Sequence, residues 1–116
     1  NSVKKDTRVE QVRENKETTI QFQQVVERGA GIDVHQETVV ITIQGKGLVT
    51  ATKVFPTYTA SLLEMRGWLK ECQITHIAME STGVYWKPVV NILGEDFKIF
   101  LVNARHIKNV PGHKTD

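Results

Sequence analysis

The sequence predicts a single α/β domain: a mixed β-sheet in the order β-β-β-α-β-α-β, with helices covering it. Three observations predict this. Short β-branched runs, Ile32/Val34 and Val39/Ile41/Ile43 among them, suit a pleated sheet. The first three runs are separated only by turns, whereas the later ones alternate with stretches whose apolar residues recur at helical spacing. At 116 residues the chain has room for one domain burying about two-thirds of its unfolded surface.

A net charge of +2 is too small to diagnose a partner. The lone Cys72 permits no internal disulfide, which fits a reducing compartment. No apolar run approaches the roughly 18 residues of a membrane span, and the N-terminus lacks a signal-peptide core. A cytoplasmic protein without membrane contact is expected.

Residues 1–30 intersperse charges of both signs (Lys4, Lys5, Asp6, Arg8, Glu10, Arg13) with few apolar side chains, so a flexible or weakly ordered leader is expected. Residues 20–26 suit an edge strand or helical turn, and Gly29-Ala30-Gly31 marks the boundary. The domain then runs from 31 to 116. Strand one covers about 30–35. A turn at Gln36-Glu37 leads to strand two, 38–44, and Gly45-Lys46-Gly47 turns the chain into strand three, 48–55, which Pro56 ends.

The first helix follows, with Thr57 or Thr59 as cap and Ser61/Glu64 resembling a capping box one turn late. Leu62, Met65, Leu69 and Cys72 form its apolar stripe, widened by Leu63 and Trp68. Strand four, 74–79, delivers Glu80 at its C-terminal end. Ser81 and Thr82 are candidate caps for a second helix that Pro88 confines to about Tyr85 onward and Gly94 ends. Strand five covers 97–102. Three antiparallel strands followed by right-handed βαβ crossovers describe a ribonuclease H-like fold.

In that sheet Asp33 is an acid at the centre of an apolar strand, where an ionised group costs several kcal/mol unless paired or solvated. Either it faces solvent at a strand edge or it holds a metal or ligand. Glu80 falls on the neighbouring strand. Its bland role is to favour the positive N-terminal end of the following helix. Asp116, fourteen residues after strand five, can return to the same end of the sheet, though alone it signifies nothing. Clustered carboxylates repel one another unless a cation sits between them. Hard oxygen donors without Cys or clustered His suit Mg²⁺ or Mn²⁺ over Zn²⁺.

Beyond Asn103 the chain carries Arg105, His106, Lys108, His113 and Lys114 and no acid before Asp116. Arg105, Lys108, His113 and Lys114 are candidate contacts to a nucleic-acid backbone, set against a merely solvated loop. His35 is a lesser candidate for substrate contact. Trp68, Tyr85 and Trp86 read as packing residues.

Gly-Ile-Asp-Val-His at 31–35, Ala-Met-Glu-Ser-Thr-Gly-Val-Tyr-Trp at 78–86 and Leu-Val-Asn-Ala-Arg-His-Ile-Lys-Asn-Val-Pro-Gly-His-Lys-Thr-Asp at 101–116 resemble the DEDD-type insertion-sequence transposases. The resemblance covers 31–116. It implies a RuvC-like N-terminal domain in which Asp33, Glu80 and Asp116 are the first three acids of the DEDD set, binding Mg²⁺ or Mn²⁺. The fourth acid is expected about one helical turn after Asp116, where this chain has stopped, and a serine-bearing domain further on. The chain is therefore expected to be a C-terminally truncated piece, inactive alone. Family members are DNA recombinases that cleave and transfer strands to move their own element, many guided by a structured RNA. DNA, a guide RNA and a homo-oligomeric full-length protein are the implied partners.

Two other classes compete. One is a non-catalytic module that binds nucleic acid through the basic loop. The other is an actin-like nucleotide-binding half, which also places an aspartate in a β-hairpin. That hairpin needs glycine or small hydroxyl residues after the aspartate to offer amides to phosphate, and Val34-His35-Gln36-Glu37 disfavour it.

Overall fold

A computed structural model describes residues 8–13 and 27–103. Six strands form one mixed sheet: β1 (Val9–Arg13), β2 (Arg28–Val34), β3 (Thr38–Gly45), β4 (Ala51–Pro56), β5 (His76–Ser81) and β6 (Lys98–Asn103). Their spatial order is β1-β6-β5-β2-β3-β4. β2, β3 and β4 pair antiparallel, and β2/β5, β5/β6 and β1/β6 pair parallel. Among the described residues two helices accompany the sheet, α1 (Thr59–Glu71) and α2 (Trp86–Leu93).

The expected order of elements is present, with one addition among the described residues. Residues 9–13, inside the expected leader, form an edge strand beside β6, and β2 begins at Arg28, ahead of the glycine boundary. Val9 explains the edge strand: it is buried in the common core although its neighbours Arg8 and Glu10 are polar. Residues 20–26 lie outside the described residues.

One face of the sheet supplies the core. Ile32 and Val34, Val39, Ile41 and Ile43, Ile77 and Met79, and Ile99 are all buried against Leu62, Met65 and Leu69 of α1 and Val89, Val90 and Leu93 of α2. Each such side chain contributes about 1.5–3 kcal/mol of burial. Leu63, expected to widen the stripe of α1, is 47% exposed. The 62/65/69 spacing keeps one line along the helix, and Leu63 stands about 100° from it. Trp68 packs against Phe55, ring centroids 6.2 Å apart, with Lys53 Nζ 4.3 Å from its ring, so the packing reading holds for it.

The helix caps differ from those expected. Tyr58 and Tyr85 occupy the N-cap positions, and neither makes a side-chain capping bond. Pro88 is tolerated because it lies in the first turn of α2, where backbone N–H groups have no intrahelical acceptor. Gly94 ends α2 at φ 70°, its N–H donating to Val90 O at 2.9 Å.

Candidate active site

With both described helices gathered on one core, the other face of the sheet carries the residues that alternate with the core set. Across the strands the register reads Val54, Val40, Asp33, Glu80, Val102, each facing the next. Asp33 and Glu80 are thus direct partners on adjacent parallel strands, about 4.8 Å apart in backbone spacing.

Asp33 is exposed, but not at an edge: β2 is an interior strand flanked by β3 and β5. Its own exposure on this face, rather than a strand margin, lets a carboxylate sit in an apolar run. His35 Nε2 approaches Asp33 Oδ2 at 3.3 Å. The hairpin between them and β3 is closed by His35 N donating to Thr38 O at 2.8 Å. Glu80 is half-buried, one residue before the end of β5. α2 begins at Trp86, so Glu80 lies outside that helix's first turn, where a dipole contact would act.

Around the two acids lies an open groove of about 380 Å³, framed by Gly31, Val40, Thr42, Ala78 and Val102. Small side chains make its floor. A Cβ added at Gly31 would meet nothing within 4 Å, so the space beside Asp33 is available to another molecule.

Among the described residues no group of three or more His, Cys, Asp or Glu side chains is gathered for a metal. The structure brings together two of the three expected acids. Asp116 lies outside the described residues, as do Arg105, Lys108, His113 and Lys114. β6 ends at Asn103, one residue past the Val102 that faces Glu80, so the strand ends at the carboxylate end of the sheet. Two facing carboxylates fit a hard divalent cation, since Mg²⁺ is commonly held by one or two carboxylates with water and substrate oxygens filling the rest. Tyr58 holds the N-cap position of α1, for which the neighbouring Thr57 and Thr59 are the chemically suited residues.

Fold and site define an α/β domain with an acidic pair at the carboxyl end of adjacent central strands. Residues 30–116 match the transposase family model DEDD_Tnp_IS110, and the chain belongs to that family of transposases. The resemblance read from the three sequence blocks is borne out. A comparison with curated protein sequences finds no match.

Among solved structures, the chain is similar to a Bacteroides thetaiotaomicron protein of actin-like ATPase fold and unknown function. The two share 12% identity at a TM-score of 0.55, covering 74% of this chain and 36% of that one. It is also similar to the Aquifex aeolicus Ppx/GppA phosphatase, with 14% identity, a TM-score of 0.46, and coverage of 67% and 36%. The chain spans about a third of the length of these structures. At such identities the likeness concerns the fold alone. No helix among the described residues is long and apolar enough to cross a membrane.

Proposed function

We propose that this chain is the ribonuclease H-like (RuvC-like) catalytic domain of a DNA transposase. In this reading Asp33 and Glu80, joined by Asp116 and by a further acid beyond it, hold Mg²⁺ or Mn²⁺ for phosphodiester cleavage and strand transfer. The observation that carries it is the facing register of Asp33 and Glu80 on the open side of the sheet. The strand order, with an antiparallel meander leading into parallel crossovers, supports the fold assignment.

The divalent ion, when bound, supplies polarisation of the phosphodiester and a more acidic hydroxyl nucleophile. The chain's own residues prepare the ground. Two hydrogen-bonded strands fix the carboxylates relative to each other, so little reorganisation is needed at the moment of reaction. Gly31 and Ala78 leave room for a phosphate-bearing backbone, and Val40 and Val102 flank it with apolar surface. Arg105, Lys108, His113 and Lys114 contact DNA or a structured RNA through the phosphates.

The test is thermal unfolding with and without Mn²⁺, comparing the parent with Asp33→Asn and Glu80→Gln. Stabilisation of the parent alone is expected. Equal stabilisation of all three would remove the metal site from this pair.

A second reading, an actin-like nucleotide-binding half, draws on the fold likeness at TM-score 0.55. Its hairpin would have to cradle phosphate, yet His35, Gln36 and Glu37 stand exposed there beside Asp33. Micromolar ATP binding by calorimetry, retained in Glu80→Gln, would favour it. Salt-sensitive nucleic-acid binding indifferent to Asp33→Asn and to Mg²⁺ would instead leave a non-catalytic binding module.

A further inference from the structure

The end of the sheet opposite Asp33 and Glu80 opens into a second cleft, of about 670 Å³, whose lining includes Arg28, Lys46, Gly47, Thr75 and His76. That is a size small ligands occupy. Arg28, half-buried there, spends three of its five N–H donors inside the protein: Nε on Lys46 O, and Nη1 on Cys72 O and Gln73 Oε1. These bonds fix the guanidinium plane. Its Nη2 has no acceptor among the described residues, and Gly47, where a Cβ would stand 3.1 Å from that nitrogen, leaves the edge uncovered. The His76 ring is held as well. It stacks on Phe100, centroids 6.1 Å apart at 12°, and its Nδ1 lies 2.7 Å from Thr75 Oγ1, so Nε2 is the ring nitrogen without a partner among the described residues. Lys46 is exposed on the same lining, and Lys98, also exposed, faces His76 across the β5–β6 pair. Glu27 is the one acid of the lining among the described residues.

We infer that this cleft binds a phosphate group, with Arg28 Nη2 and Lys46 Nζ pairing with its oxygens and His76 Nε2 beside them on the same lining. The charge selects the class of ligand. A singly charged carboxylate is matched by one guanidinium. Arg28, Lys46 and Lys98 set against Glu27 instead match an anion of about two charges, such as a phosphate monoester or successive diesters of a strand. Bonds from a charged donor are about twice as strong as neutral ones, and a guanidinium already held in its plane loses little freedom in making them. The cleft is separate from the acid pair: Arg28 lies five residues from Asp33 along β2, about 16 Å away. Two sources offer this chemistry, a small free phosphate compound and the backbone of a nucleic-acid strand. The first is independent of the transposase reading above, and the second rests on it.

The experiment is thermal unfolding of the full chain in EDTA with sodium phosphate, against sodium acetate at matched ionic strength, beside anisotropy of a short labelled thymidine oligonucleotide. Phosphate should raise the unfolding midpoint of the parent, and acetate should not. Lys46→Gln keeps the backbone carbonyl that Arg28 uses, so it should fold, and should weaken phosphate binding about two- to fivefold, the effect of one exposed ion pair. Lys46→Glu should weaken it further, and His76→Gln should lower it in the same direction. Oligonucleotide affinity that falls in step, with phosphate displacing the strand, supports the cleft and assigns it to a nucleic-acid backbone. Phosphate binding that falls while the oligonucleotide ignores Lys46 supports it as a site for a small phosphate compound. A parent that phosphate stabilises no more than acetate overturns the proposal without recourse to any variant, and so does phosphate binding equal in the parent, Lys46→Glu and His76→Gln. EDTA keeps divalent ions from Asp33 and Glu80, so failure of the metal reading leaves these outcomes unchanged, and failure here leaves that reading standing.

Discussion

His35 Nε2 stands 3.3 Å from Asp33 Oδ2, with both side chains about half exposed. The imidazole therefore occupies one approach to a carboxylate that the metal reading needs free. An exposed contact of this kind is worth about 0–1 kcal/mol, so it orients Asp33 without holding the fold. His35→Ala should leave the unfolding midpoint nearly unchanged and raise Mn²⁺ affinity by up to about fivefold, the equivalent of about 1 kcal/mol. Titration calorimetry reads both sign and size. A fall in affinity would make His35 a ligand instead of a competitor.

Gly31 lies two residues before Asp33 on the same face, with nothing within 4 Å of the position its Cβ would take. Gly31→Val should thus fold, and should match or exceed the parent in stability, since glycine in a strand costs about 0.5–1 kcal/mol relative to alanine. The added side chain would fill the groove beside the acids. Oligonucleotide affinity in Ca²⁺, measured by anisotropy, should drop at least about tenfold, or about 1.4 kcal/mol. Unchanged affinity would place the substrate path elsewhere.

What the sequence disclosed and what it concealed follow from how local each signal is. Period-two alternation marked the interior strands because their buried residues, Ile32 and Val34 or Ile77 and Met79, alternate within one short run. β1 escaped because Val9, its buried anchor, stands between the polar Arg8 and Glu10, and its partner β6 lies far along the chain. Asp33 and Glu80 were legible as a pair, since parallel strands in the expected order put them side by side. Whether Asp33 met solvent at an edge or on a face was not, because that depends on which side the helices pack. Tyr58 was not legible as a cap, because the hydroxyls of its neighbours Thr57 and Thr59 suit that position better than a phenol does. This cap is backbone-shaped, with no side-chain bond to betray it.

Asp96 offers a pH test away from the site. Arg66 Nε and Nη2 donate to its Oδ2 at 3.1 and 2.7 Å, and Lys70 Nζ lies 3.6 Å away. The Arg66 hydrogen bond, and secondarily the Lys70 charge, hold its carboxyl below the usual aspartate range. A folded-state value below the unfolded one, which is about 3.9, gives stability that is present above that value and lost as pH falls through the lowered one. Urea midpoints of the parent should therefore exceed those of Asp96→Asn at pH 6, and the gap should narrow below about pH 4. Salt should narrow it at any pH, since all three side chains are in contact with solvent. A gap constant from pH 7 to pH 3 would rule out the ionised pair as its source.

Arg28 clamps the end of the sheet opposite the acids. Its Nε donates to Lys46 O at 3.0 Å, and its Nη1 donates to Cys72 O at 2.8 Å and Gln73 Oε1 at 3.2 Å. One guanidinium thus joins the β3–β4 hairpin to the turn after α1. That turn places Gln73 at φ 59°, in the left-handed region, which favours glycine. Gly45 is required beside the clamp, because a Cβ there would lie 2.7 Å from Arg28 Cα. Lysine keeps the charge but not the planar fork, so Arg28→Lys should cost about 1–2 kcal/mol in urea unfolding, and Arg28→Met about 2–3 kcal/mol. Hydrogen exchange should quicken at the amides of Lys46 and Leu48 in one loop and of Gln73 and Ile74 in the other, since those bonds close the two turns that Arg28 holds. Asp33 lies five residues up the same strand, about 16 Å away. Mn²⁺ stabilisation measured well below the variant's melting temperature should therefore persist. Its loss in Arg28→Lys, with exchange in β2 and β5 unchanged, would show that the two ends of the sheet are coupled and that the acid pair depends on more than its own register.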